Sequence, residues 1–140
     1  MNTIDDCRLI DLPRINTREG SITPVHGSRE IPFDVVRVFY VYDVPGGEGR
    51  GAHAHRELHQ FIISVMGAFD VTIDDGRARR TITLSRAYYG LYVPNAIWCE
   101  LSGFSSGAVC VVLTSDHFKE DDYIRNYDEY RQFRNTGPVS

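Results

Sequence analysis

The chain's 140 residues are 42% hydrophobic and 24% charged, the balance of a soluble globular protein, and the expected organisation is a single domain over residues 1–140. No apolar run is long enough to span a bilayer, the acidic start MNTIDDCRLIDL lacks the basic and apolar regions of a signal peptide, and three cysteines without a CxxC pair make no disulfide framework. Fifteen basic against nineteen acidic residues, a net charge of −4, offer little to a nucleic-acid backbone, so the expectation is a cytoplasmic protein with reduced thiols that binds neither nucleic acid nor membrane.

Along the chain the signals are strand-like and punctuated by turns. Residues 34–43 (DVVRVFYVYD) are rich in β-branched and aromatic residues and stop at Pro45-Gly46-Gly47. Gln60–Met66 is a short apolar run closed by Gly67. Phe69, Val71 and Ile73 alternate with Asp70, Thr72 and Asp74, the period of a half-buried strand. Asp74-Asp75-Gly76 predicts a hairpin turn, and Arg79–Leu84 the returning strand. Leu91–Val93 precedes Pro94, and Ala108–Thr114 reads as a buried strand. Only DHFKEDDYIRNYDEYRQF reads as helix: Tyr123, Tyr127 and Tyr130 are spaced i, i+4, i+7 beside Ile124, with acids 120–122 placed in the first turn. Many short strands followed by one helix predict an all-β sandwich or barrel with a C-terminal α-helix.

The densest chemistry is Gly49-Arg50-Gly51-Ala52-His53-Ala54-His55. On an extended segment His53 and His55 share a face, roughly 6–7 Å apart along the strand, and two small alanines point the other way. Such a pair can ligate a metal or carry protons near neutral pH. Without a metal, one neutral imidazole can take a proton from a carbon beside a carbonyl. A second can move a proton between neighbouring oxygens, which together isomerise an α-hydroxy ketone through an enediol.

Gly49, His53, His55, Gln60 and Gly67, followed by Pro94, Ala96 and Cys99, resemble the two motifs of the cupin family. Metal-binding cupins carry a Glu where Gln60 stands and a His where Cys99 stands. A neutral amide is a poor ligand for a divalent cation, while a thiolate suits zinc. A metal-dependent cupin using His53, His55 and Cys99 is therefore one alternative.

A narrower resemblance covers nearly the whole chain. RVFYVYD, GRGAHAHRELHQ, GAFDVTIDDG, GLYVPNAIW and VLTSDHFKEDDYIRNYDEYRQF are similar to the nucleotide-sugar 3,4-ketoisomerases. These act on dTDP-4-keto-6-deoxyglucose in making 3-amino-3,6-dideoxy sugars for bacterial glycans. The resemblance implies a cupin double-stranded β-helix (jelly roll), a homodimer, no metal or other cofactor, and one pocket per subunit for the dTDP-linked keto sugar. It implies that His53 moves the proton between C3 and C4 and that His55 shuttles a proton between the two oxygens. Arg37 and Arg50 match pyrophosphate contacts, which suits a guanidinium fork. Tyr40, Gln60 and Asn95 match positions lining the pocket. Two departures stand near the sugar: Cys99 where the family commonly has His or Arg, and Glu19 where it has Tyr or Arg. They bear on product configuration, and they keep a non-catalytic sugar-nucleotide-binding cupin as a second alternative.

Overall fold

The computed structural model describes residues 1–136. Its strands are β1 (Arg8–Asp11), β2 (Ile15–Thr17), β3 (Gly20–Ile22), β4 (Arg37–Val41), β5 (Arg50–His55) and β6 (Gln60–Met66), then β7 (Phe69–Asp74), β8 (Arg79–Leu84), β9 (Tyr89–Val93), β10 (Trp98–Ser102), β11 (Val109–Thr114) and β12 (Tyr123–Ile124). One helix, α1 (Tyr127–Thr136), follows. Two five-stranded sheets face each other, in the orders β1-β9-β6-β11-β4 and β12-β5-β10-β7-β8, and β2 and β3 form a separate hairpin. The pairing is antiparallel throughout these sheets. This is the cupin jelly roll.

The core lies between the sheets, where Ile62, Val112, Cys110 and Leu91 from the first meet Val71, Ile73, Cys99 and Leu101 from the second. The unbroken apolar run in β6 has a simple cause: both its faces are buried. Ile62 faces the inter-sheet core, while Phe61 and Ile63 pack outward under Leu12, Ile31 and Phe33 of the N-terminal segment. The neighbouring strand passes so close that Gly90 is required. A Cβ there would lie 2.5 Å from the Phe61 ring and 2.7 Å from the Ile62 carbonyl oxygen.

The C-terminal helix differs from the sequence expectation. It begins at Tyr127, not at the acids: residues 120–122 form one 3₁₀ turn, and Tyr123 and Ile124 are extended, pairing with His55 and Ala54 of β5. Tertiary pairing overrides the aromatic periodicity here, because Ile124 gains full burial against Ala54, Trp98 and Tyr130. Asn126 then caps the helix, its Oδ1 accepting from the Glu129 N–H at 3.0 Å. Tyr130 locks α1 onto the second sheet, its hydroxyl lying 2.8 Å from the Ala96 carbonyl oxygen and 3.0 Å from that of Asp74. The first long strand is also shorter than its apolar run, starting at Arg37; the preceding Phe33 and Val35 are used instead to cover the first sheet.

Candidate active site

Strands β4 and β5 stand near the open ends of their sheets, and a cavity of about 460 Å³ opens between the sheets there. The first sheet contributes Arg37, Phe39 and Val41 from β4, Gln60 and Ile62 from β6, and Val112 from β11. The second contributes Arg50, Gly51, His53, Cys99 and Leu101, and the chain after it adds Tyr123 and Arg125. Tyr40 and Tyr42 stand at the rim, more than half exposed, with ring centroids 5.9 Å apart. The cavity is thus apolar in its floor and carries three guanidiniums.

Strict strand alternation would send Arg50 and His53 to opposite faces, since they are three residues apart. A bulge removes the conflict. Cys99 pairs with His53 and Leu101 with Arg50, so β5 spends one residue more than β10 over the same stretch. Gly51 sits in that stretch at φ +70°, where glycine is favoured. The result is that Arg50 and His53 border the same cavity.

The two imidazoles meet edge to face, their centroids 4.9 Å apart, and the Tyr123 ring packs against both, 4.8 Å from His53 and 4.4 Å from His55. His53 reaches the cavity, whereas His55 lies behind it, 5% exposed. The Asp122 carboxylate holds His55, with Oδ2 3.0 Å from Nδ1. Burial pushes the proton affinity of His53 down to about 3, helped by His55 and Arg125. Burial also lowers that of His55, but the hydrogen bond and charge of Asp122 work against the shift. Arg125 is itself held, its Nε and Nη2 donating to the two Glu120 carboxylate oxygens at 2.8 and 3.0 Å, with its guanidinium 4.2 Å from the Tyr123 ring centre. The Arg37 guanidinium lies over Phe39 at 4.6 Å.

Of the residues singled out from sequence, Arg37, Tyr40, Arg50, His53, Gln60 and Cys99 come together on this cavity, with His55 directly behind. Asn95 does not line it: its amide donates to the Arg56 carbonyl oxygen at 2.8 Å and accepts from Asn2 at 2.9 Å. Glu19 lies in the exposed turn between β2 and β3, its N–H bonded to Thr17 Oγ1. Cys99 is buried, and burial raises its thiol far above the ordinary range. Among the described residues no three His, Cys, Asp or Glu side chains converge as a metal site, so the ligand set His53, His55 and Cys99 is not assembled. Sequence reasoning missed Asp122, Tyr123 and Arg125. Their signal was present in the DYIR segment, but a helix reading placed them on the wrong element.

Comparison with known proteins identifies the family. The family model "FdtA: WxcM-like, C-terminal" matches residues 5–135. The TDP-4-oxo-6-deoxy-α-D-glucose-3,4-oxoisomerase of Aneurinibacillus thermoaerophilus is 40% identical over 126 residues, covering 90% of this chain and 91% of its own. A 3,4-ketoisomerase from Helicobacter canadensis superposes with a TM-score of 0.91 at 38% identity, over 93% of this chain and 98% of its own. A sugar 3,4-ketoisomerase from Thermoanaerobacterium thermosaccharolyticum, solved in complex with TDP, gives 0.91 at 34% identity over 95% and 97%. The chain belongs to the cupin-fold family of nucleotide-sugar 3,4-ketoisomerases.

Proposed function

We propose that the protein converts dTDP-4-keto-6-deoxyglucose to the 3-keto isomer through an enediol, with the cavity between β4 and β5 as its active site. The observation that carries this reading is the convergence of His53 with Arg37, Arg50 and Arg125 on one cavity. Guanidiniums match a diphosphate, the apolar floor suits the deoxysugar and its base, and His53 is the imidazole within reach of a sugar carbon. Burial leaves the His53 imidazole neutral, so a ring nitrogen is free to accept the C3 proton.

In the reaction His53 takes the C3 proton, the C3–H electrons form the C3=C4 double bond, and the C4 carbonyl oxygen gains a proton. The C3 hydroxyl then gives up its proton as its carbonyl forms, and His53 returns the proton it took from C3 to C4. Substrate and product are isomers, so no oxidant is consumed. His55, held by Asp122, serves the transfer between the two oxygens. Tyr40 and Gln60 complete the pocket walls, and Cys99 lies beside the histidine pair in register with His53.

Incubation with dTDP-4-keto-6-deoxyglucose, followed by proton NMR, should show the 3-keto sugar and report the C4 configuration. His53→Asn should abolish both product and exchange of the C3 hydrogen with deuterated water. His55→Asn should slow turnover about 10²–10⁴-fold while retaining some exchange. TDP binding without turnover would favour the sugar-nucleotide-binding alternative, and no binding would overturn both.

Self-association belongs to the same proposal. Among the described residues the β2–β3 hairpin pairs with no other strand, and its facing Ile15 and Ile22 are 50% and 61% exposed. Covering them with a second copy is a common answer to exposed edges. Sedimentation should give twice the 15.9 kDa chain mass; a single species at the chain mass would refute the homodimer.

A further inference from the structure

His55 and His53 stand side by side but do not have the same surroundings. The difference begins in the chain after β11. There the Asp122 N–H donates to the Lys119 carbonyl oxygen at 3.1 Å, closing the 3₁₀ turn, and the Asp122 carbonyl accepts from the Arg56 N–H at 2.9 Å. Its carboxylate is pinned at the second oxygen, where Oδ1 accepts from the Glu57 N–H at 2.8 Å. The next two residues pair with His55 and Ala54. Backbone contacts on both sides therefore leave Oδ2 a single place to point, 3.0 Å from His55 Nδ1. Both side chains are largely shielded from water, 5% and 12% exposed, so the bond is not traded for solvent as a surface pair would be.

A carboxylate can only accept, so His55 donates from Nδ1 and Nε2 is left without a proton when the ring is neutral. Among the described residues no carboxylate is hydrogen-bonded to His53 in this way. His53 faces His55, Tyr123 and Arg125, and Glu120, the carboxylate that acts on it, is engaged in a two-point bond with Arg125. Around His55 the charged and titratable groups are Asp122, His53, Tyr123, and at longer range Arg125 and Arg37. Of these, Asp122 favours the imidazolium and both arginines oppose it. Two histidines whose environments are driven apart divide acid and base work between them.

We propose that Asp122 is a positioning residue of the active site: it locks His55 in the Nδ1–H tautomer, leaving Nε2 free to take a proton from one sugar oxygen and pass it to the other, and it stabilises the imidazolium that His55 becomes in that transfer. The kinetic consequence rests on the ketoisomerase reading, but the tautomer does not.

The test combines both. In the unaltered protein, ¹⁵N-edited histidine spectra should show His55 as the Nδ1–H tautomer and titrating above His53. An Nε2–H tautomer, or His53 titrating first as pH falls, overturns the proposal whatever the activity. Asp122→Asn keeps an oxygen for the Glu57 N–H but turns an amide N–H₂ toward Nδ1. The proton should then move to Nε2, and His55 should titrate at lower pH. With dTDP-4-keto-6-deoxyglucose this variant should lose about 10²-fold in kcat with KM changed less than about threefold, and the acid limb of its pH profile should move down. Wild-type kcat and an unmoved limb would refute the positioning role while leaving the ketoisomerase reading intact. A wild-type enzyme that is inert toward this sugar while showing the expected tautomer would refute that reading instead.

Discussion

Removing the carboxylate of Asp75 should loosen the N-terminus from the barrel. Asp75 lies in the β7–β8 turn, 5% exposed. Its Oδ1 accepts from the Arg77 and Ala78 N–H groups, each at 2.9 Å, and its Oδ2 from the Ile4 N–H, also at 2.9 Å. One side chain thus shapes the turn and ties a buried residue 71 positions away. A hydrogen bond to a charged group contributes about 1.5–3 kcal/mol. In Asp75→Ala the two donors of the turn can reach water, whereas the buried Ile4 N–H cannot, so the net loss should be about 3–4 kcal/mol. For a chain of this size that corresponds to about 10 °C in Tm. Asp75→Asn should recover roughly half, because its oxygen can keep the turn while its amide meets the Ile4 N–H donor to donor. Thermal and urea unfolding at fixed protein concentration measure the loss, and amide exchange at Ile4 should accelerate more than exchange in β6. A Tm within about 3 °C of wild type for Asp75→Ala, or unchanged exchange at Ile4, would refute this account.

Acid should weaken the fold through the histidines. An unfolded histidine titrates near 6.5 while folded His53 declines a proton down to about 3. Stability is therefore full above that unfolded value and falls as pH drops through this window, by about 1.4 kcal/mol per pH unit from His53, with His55 adding in the same direction. Urea midpoints between pH 7.5 and 5 should show the slope, and His53→Asn should flatten it; an equal slope in the variant refutes the assignment. Arg50→Ala should weaken TDP binding about 10- to 100-fold, the loss of one charge-assisted contact, and Gly51→Ala should raise the TDP Kd as well, because an L side chain strains the bulge that brings Arg50 beside His53. Calorimetric titration reads both, and unchanged affinity in either removes that residue from the binding argument. Cys7, Cys99 and Cys110 are buried, with burial pushing Cys7 and Cys110 up to about 12 and Cys99 further. Iodoacetamide at pH 8 should label none of them in the native protein and all three in guanidinium; rapid labelling of the native form would contradict the buried placement.

Strand content and much of the strand placement were legible from residues alone, because alternation in Phe69–Asp74 and the apolar runs at Gln60–Met66 and Val109–Thr114 are set by which faces each strand buries. The histidine pair was legible for the same reason, since a period of two puts His53 and His55 on one face of any extended segment. What the tertiary structure alone decided is whatever depends on two distant segments meeting. Arg50 joins His53 only because a bulge against β10 spends an extra residue at Gly51. Asn95, adjacent to the core in sequence, is claimed by Arg56 and Asn2 instead of the cavity. Tyr123 and Ile124 fit a helical period, yet extended pairing with β5 buries Ile124 and brings Asp122 to His55, a gain no local propensity records. Local pattern determines which face a side chain can take, and only the partner segment determines what that face meets.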